Sequence, residues 1–136
     1  AMLAERLGTP QLTLANKGGN PFESDTFQGP QVSQLQFDRI MGYIEDGKKS
    51  GAKVLTGGAR HGDKGYFIQP TIFTDVNENM KIVQEEIFGP VCTVQKFKDE
   101  EEAIRIANKT VYGLAAAVHT ENINTAIRVS NALRAG

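Results

Sequence analysis

The 136-residue sequence is poor in cysteine, in long apolar runs and in excess charge of one sign, the features that would directly identify its class of protein. Its single cysteine, Cys92, allows no disulfide within the chain, so a reducing compartment, the cytoplasm, is expected, with a mitochondrial parent as the alternative. The longest uncharged apolar run, residues 114–118, is far too short to cross a bilayer. Lys and Arg number 15 against 16 Asp and Glu, a net charge of −1. This balance gives no support to a nucleic-acid-binding or membrane-surface protein, both of which need basic stripes.

The composition is that of a folded protein. Hydrophobic residues make up 40% of the chain, which argues against disorder. The length fits one domain or one piece of a larger domain. Turn-forming Gly and Pro residues interrupt residues 1–30, and residues 1–18 match no pattern, so they stay an unassigned segment.

Apolar periodicity predicts the first helix. Phe37, Ile40, Met41 and Ile44 are spaced i, i+3, i+4, i+7, which places one apolar stripe against a core. Gly51 is a suitable C-terminal stop.

Short β-rich runs follow. Residues 53–56 and 91–97 predict strands, the second of them buried. Residues 66–75 also predict a strand, which Pro70 should confine to the edge of a sheet or make irregular. Residues 79–86 predict a short helix that ends before Gly89 and Pro90.

The last third repeats the alternation of strand and helix. Asp99 and Glu102 form a capping pattern at the start of a helix whose stripe is apolar. Residues 114–118 predict a second buried strand and residues 122–133 a second helix. This order predicts an α/β fold with a layered, mostly parallel sheet and crossover helices.

Generic site motifs mostly fail. Residues 57–63 space two glycines as a phosphate-binding loop does, but Asp63 stands where the loop needs Lys. His61 and His119 are isolated, so no metal site is predicted. Cys92 lies in an apolar run and is interpreted as a packing residue, because a reactive thiolate needs an exposed, electropositive setting.

Residues 84–90 are more unusual, because two carboxylates and an aromatic precede a Gly-Pro break and a buried strand. Side chains at the end of a sheet strand are where α/β proteins bind ligands. A carboxylate there can accept hydrogen bonds from a sugar diol, and an aromatic ring can pack against a flat ring. The residues alone leave a merely structural turn as the alternative.

The sequence resembles the NAD(P)-dependent aldehyde dehydrogenase family. Residues 85–90 read Glu-Glu-Ile-Phe-Gly-Pro, which is similar to a signature of that family. Four further segments agree in order and spacing: residues 36–44, 65–71, 112–114 and 130–136. Residues 19–136 are therefore expected to be part of an aldehyde dehydrogenase catalytic domain.

The resemblance implies a reaction and a cofactor site. Family members oxidise aldehydes to carboxylic acids with NAD, or alternatively NADP, by attack of a cysteine thiolate on the carbonyl. Glu86 resembles the glutamate that holds the nicotinamide ribose hydroxyls, and Phe88 the phenylalanine near the nicotinamide ring. Gln36 matches a glutamine of the cofactor site, and Arg39, on the same helix face, stands where many members carry lysine.

The departures from the family pattern imply a partial enzyme. The nucleophilic cysteine and the general-base glutamate motif of the family match nothing here, and Cys92 occupies another position. No residue is therefore predicted to be catalytic, and the isolated chain is expected to be inactive. The parent is expected to be a homodimer or homotetramer that binds an aldehyde. The alternative is a non-catalytic folded fragment or interaction module.

Overall fold

The computed structural model describes residues 18–136. The chain divides into two compact units, the first ending at Gln95 and the second comprising Lys96–Gly136. The described part of the first unit contains helices and strands in the order α1 (Gln34–Lys49), β1 (Lys53–Thr56), β2 (Thr71–Thr74), α2 (Lys81–Gln84) and β3 (Val91–Thr93). The second unit contains helices α3 (Glu100–Ala107) and α4 (Ile123–Ala132).

Helix α1 confirms the helix predicted from periodicity. It begins after Ser33, whose Oγ accepts a hydrogen bond from the Gln36 amide at 3.3 Å, so one of the unpaired amides of the first turn is satisfied. It ends before Gly51, which adopts a φ of +89° suited to the chain reversal after a helix. Of the predicted stripe, Phe37, Ile40 and Ile44 are buried and Met41 is only partly buried.

The three strands form one mixed sheet in the order β1-β2-β3. β1 pairs antiparallel with β2, and β2 pairs parallel with β3, with Thr71 opposite Val91. The parallel pair is connected through α2, as a crossover connection requires. The α/β class predicted from the sequence is confirmed, and the sheet combines one antiparallel with one parallel pairing.

For residues 66–75 the sequence predicted a strand at an edge or an irregular one. The edge position is wrong, because β2 is the central strand, and only Thr71–Thr74 of this range belong to it. Pro70 lies immediately before the first strand residue, so its missing N–H removes no hydrogen bond from the ladder. Its carbonyl lies against Gly57, where an added Cβ would be only 2.2 Å from the Pro70 oxygen. Thr71, buried in the same region, donates from Oγ1 to the Gln69 carbonyl at 2.7 Å and accepts from the Gly58 amide at 2.8 Å. Gly57 and Gly58 therefore pack closely against Pro70 and Thr71.

The core of the first unit is built from helix α1, strand β2 and the segment around α2. Ile40, Ile44 and Phe73 are fully buried. The remaining buried apolar residues are Phe37, Tyr43, Ala52, Ile68, Met80, Ile82 and Ile87. Ile87 belongs to the unusual segment 84–90, so part of that segment is anchored in the core.

In the second unit, polar contacts cap helix α3 and join it to helix α4. Asp99 accepts from the Glu102 amide at 2.8 Å, which confirms the predicted cap, and Glu102 accepts from the Lys98 amide at 2.8 Å. Arg128 on α4 donates to both carboxylate oxygens of Glu100 on α3, at 3.0 and 2.8 Å. Within residues 18–136 no helix is long and apolar enough to cross a membrane.

Two predictions for the second unit are wrong. Residues 114–118 form no strand, and Leu114 is 77% exposed. An extended segment becomes a strand only when a neighbouring backbone accepts and donates its hydrogen bonds, and among the described residues none pairs with this segment. The predicted apolar stripe of α3 contains no buried residue, and α4 has none either, for a related reason. Ile123 and Ile127, for example, have apolar surface that nothing described covers.

Candidate functional site

Residues 85–90 form a tight connection between helix α2 and strand β3. Gly89 packs directly on Ile40, because a Cβ added there would lie 2.5 Å from Cδ1 of that side chain. The Pro90 carbonyl accepts a hydrogen bond from the Thr71 amide at 2.8 Å, so the segment ends at the first rung of the β2–β3 pairing. We call residues 85–90 the signature turn.

Gln36 on α1 holds the signature turn from the other side. Its side-chain Nε2 donates to the Phe88 carbonyl at 2.8 Å and more weakly to the Ile87 carbonyl at 3.4 Å. The structure therefore brings Gln36 and Phe88, two of the four predicted site residues, into direct contact. The contact is between a side chain and the backbone, so Gln36 sets the position of the turn.

Phe88 has an unusual backbone conformation for a residue with a side chain. Its φ is +55°, in the left-handed region, which costs about 1 kcal/mol or more for a residue other than glycine. The residue is 66% exposed. A strained backbone that presents an exposed aromatic ring is the arrangement expected when the ring has a ligand to contact.

The two carboxylates of the signature turn have different surroundings. Glu85 accepts a hydrogen bond from the Tyr43 hydroxyl at 2.7 Å, and its Oε2 lies 4.0 Å from Nζ of Lys81. Glu86 is exposed. The residue pattern alone did not distinguish these roles. Both carboxylates are exposed, and Glu85 is joined by its hydrogen bond to Tyr43 of α1.

Arg39, the fourth predicted site residue, lies beside Tyr43. Its guanidinium carbon is 5.9 Å from the centroid of the Tyr43 ring, and Lys81 Nζ is 5.1 Å from the same centroid. Arg39 is exposed, one turn along α1 from Gln36. Sequence reasoning missed Tyr43, although its position seven residues after Gln36 puts it two turns along the same helix face.

Cys92 does not match its predicted role as a packing residue. It is exposed on β3, and its Sγ lies 3.7 Å from the Thr93 carbonyl. Partial desolvation raises the pKa of its thiol. A thiol with a raised pKa carries little thiolate at neutral pH, so its setting is the reverse of that of a reactive nucleophile.

The remaining candidates from the sequence are structural. Arg60 donates to the carbonyls of Gly62, Asp63 and Gly65, so the loop after Gly57 is closed around a guanidinium group. Asp99 caps α3, and Glu100, the first residue of that helix, pairs with Arg128. Within residues 18–136 no group of three or more His, Cys, Asp or Glu side chains is arranged to hold a metal ion.

Two shallow grooves lie away from the signature turn. One, of about 470 Å³, runs between residues 18–21 and 61–67 in the first unit. The other, of about 420 Å³, lies in the second unit between residues 114–118 and α4. Neither is lined by residues of the signature turn.

A comparison with known protein families decides the assignment. The sequence model described as "Aldehyde dehydrogenase family" matches residues 9–136. The chain belongs to the aldehyde dehydrogenase family. Curated relatives of this aldehyde dehydrogenase segment include an aldehyde dehydrogenase of Emericella nidulans, 78% identical over 121 residues, and one of Alternaria alternata, 73% identical over 121 residues. Each alignment covers 89% of this chain and 24% of the relative.

Solved structures agree with the family assignment. An NAD+ complex of an aldehyde dehydrogenase from Bacillus cereus superposes with a TM-score of 0.88 at 49% identity, covering 97% of this chain and 27% of that one. Betaine aldehyde dehydrogenase from Staphylococcus aureus, also in complex with NAD+, gives 0.89 at 39% identity and covers 99% of this chain and 28% of that one. The aldehyde dehydrogenase segment described here thus spans about a quarter of the length of the curated relatives it matches.

Proposed function

We propose that this segment, residues 19–136, is part of the catalytic domain of an enzyme that oxidises aldehydes to carboxylic acids with NAD, or alternatively NADP. Its contribution is to hold the nicotinamide end of the cofactor. The observation that carries the proposal is the contact of Gln36 with the Phe88 carbonyl, which fixes a turn bearing an exposed carboxylate and an exposed ring. Membership of the aldehyde dehydrogenase family supports the reaction.

The residues of the signature turn fit a nicotinamide nucleotide. When bound, the nicotinamide accepts a hydride from the substrate. The Glu86 carboxylate is an acceptor for the two ribose hydroxyls, and charge-assisted hydrogen bonds of this kind are among the stronger ones. The exposed Phe88 ring can pack against a flat ring. Gln36 keeps the backbone between them in place, which serves orientation of the reacting ring.

NAD is supported as the cofactor by the printed descriptions of two structural relatives. Both the Bacillus cereus and the Staphylococcus aureus proteins were solved with NAD+. We extend this to the present chain as a proposal, with an aldehyde as the second substrate. Assembly of the parent as a homodimer or homotetramer in the cytoplasm is also proposed, and light scattering of the full-length enzyme tests the assembly.

The isolated chain is proposed to be inactive. Its only cysteine is Cys92, and the raised pKa of that thiol disfavours the thiolate that attacks an aldehyde carbonyl. Incubation of the purified 136-residue chain with aldehydes and NAD should produce no NADH. Production of NADH at a rate proportional to chain concentration would contradict this.

The role of the turn is tested in the full-length enzyme that carries this segment. Glu86→Gln keeps the shape of the side chain but removes its charge, so single-turnover hydride transfer should slow about tenfold or more. Glu101→Gln, at an exposed position on α3, is the matched control and should leave the rate unchanged. An unchanged rate in Glu86→Gln would remove Glu86 from the cofactor site, and a wild-type enzyme without NAD(P)-dependent aldehyde oxidation would refute the proposed reaction.

A further inference from the structure

Tyr43 makes a long-range contact that the proposed function does not use. Its side chain is 7% exposed, and its hydroxyl donates to Oε2 of Glu85 at 2.7 Å. The two residues are 42 positions apart in the sequence. The contact therefore joins helix α1 to the first residue of the signature turn.

The positively charged Lys81 side chain also lies near the Glu85 carboxylate. Lys81, one turn earlier, places Nζ 4.0 Å from the same Oε2 atom and 5.1 Å from the centroid of the Tyr43 ring. Arg39 lies 5.9 Å from that centroid. The Glu85 Oε2 atom therefore has two partners, the Tyr43 hydroxyl and the Lys81 ammonium group.

Helix α1 consequently holds the signature turn at two points. Gln36 holds the Phe88 carbonyl, and Tyr43, two helical turns further on, holds the Glu85 side chain. Between these points Ile87 is buried in the core, whereas Glu86 is exposed. These contacts constrain the residues on both sides of Glu86.

We propose that Tyr43 is a positioning residue for the nicotinamide nucleotide, acting through its hydrogen bond to Glu85 on the orientation of Glu86 and Phe88. This inference rests on the proposed function. It extends the site to a buried hydroxyl that does not itself contact the cofactor. Its effect should fall on the cofactor and not on the aldehyde.

The test is made in the full-length enzyme and removes only the hydrogen bond between Tyr43 and Glu85. Tyr43→Phe keeps the buried ring and removes the donor, and the dissociation constant for NAD, measured by calorimetry, should rise about tenfold. The KM for the aldehyde should stay within about twofold of wild type. Tyr66→Phe removes a hydroxyl from a ring that packs near Phe37 instead, and it should change neither quantity.

Changes at Glu85 test the same bond from the acceptor side. Glu85→Gln keeps an acceptor oxygen and should retain more NAD affinity than Glu85→Leu, which has none. Tyr43→Phe combined with Glu85→Leu should be no weaker than Glu85→Leu alone, since both remove one interaction. If Tyr43→Phe fails to fold, the ranking of the two single Glu85 variants carries the test by itself.

The outcomes separate the two proposals. A wild-type enzyme that does not oxidise aldehydes with NAD(P) would overturn the proposed function. An active wild type with unchanged NAD affinity in Tyr43→Phe, or with equal losses for NAD and aldehyde, would overturn only the role of Tyr43. Equal NAD affinity in Glu85→Gln and Glu85→Leu would overturn it as well.

Discussion

Gly89 of the signature turn lies so close to Ile40 of helix α1 that no side chain fits between them. A Cβ on Gly89 would be 2.5, 2.7 and 2.9 Å from three carbon atoms of the Ile40 side chain. Ile40 is fully buried, so it has no open space into which to move. The packing of one glycine thus fixes the distance between helix and turn.

Gly89→Ala should destabilise the fold. The added methyl group overpacks a full core, which costs about 1–3 kcal/mol of unfolding free energy. Urea unfolding followed by circular dichroism measures the change. A variant as stable as wild type would mean that Ile40 repacks freely.

The chain offers a matched control for this substitution. Gly42 lies within α1 at an exposed position, and a Cβ there would meet nothing within 4 Å. Gly42→Ala should raise the unfolding free energy by up to about 1 kcal/mol, because alanine is the better helix former. Opposite signs for the two Gly→Ala changes would identify contact with Ile40 as the cause.

Gln36→Ala should weaken NAD binding by the full-length enzyme. It removes the donor to the Phe88 carbonyl, and loss of a neutral hydrogen bond of about 0.5–1.5 kcal/mol corresponds to roughly two- to tenfold in affinity. Calorimetric titration with NAD measures it. Gln34→Ala is the control, since Gln34 on the same helix donates to Asp38 and not to the signature turn. Equal affinities in both variants would contradict the role given to Gln36.

The pKa of Glu100 should depend on Arg128. The guanidinium donates two hydrogen bonds to the Glu100 carboxylate and lowers its pKa. A lowered carboxyl pKa contributes stability that is present above the ordinary pKa of glutamate and is lost as the pH falls through the lowered value. Arg128→Gln should return the Glu100 pKa to its ordinary range in a carbon-13 NMR titration of the side-chain carboxyls.

A second acidic residue provides the internal standard for that titration. The pKa of Glu45 is lowered by its hydrogen bond from Lys48 at 2.7 Å. Arg128→Gln should leave it unchanged, because Glu45 belongs to the first unit and has a different partner. A Glu100 pKa that does not move while Glu45 also stays constant would show that Arg128 is not the cause.

The sequence was enough to predict those helices that are determined by interactions between residues close together in the chain. The stripe of Phe37, Ile40 and Ile44 defined α1, and Asp99 defined the start of α3. Both follow from interactions within a few residues of one another. The family resemblance then selected Gln36 and Phe88, which the structure brings into contact, whereas no residue pattern indicated that the contact is to the Phe88 backbone.

Predictions that depended on a distant partner were less successful. Pro70 suggested an edge strand or an irregular one, but its position one residue before β2 allows a central strand. Residues 114–118 have strand composition and no pairing partner among the described residues, so composition alone was misleading. Tyr43 was missed because its partner, Glu85, lies 42 residues away, a separation that periodicity does not report.

The hydrogen bond from Thr71 to the Pro90 carbonyl has a consequence for how this segment can vary in length. Only six residues connect Gln84 of α2 to Val91 of β3, and both ends of that connection are fixed. An insertion or deletion there would either move Glu86 away from its place or slip β3 by one residue, and a slip turns every strand side chain to the opposite face. We therefore expect substitutions in this connection to disturb the fold far less than insertions or deletions.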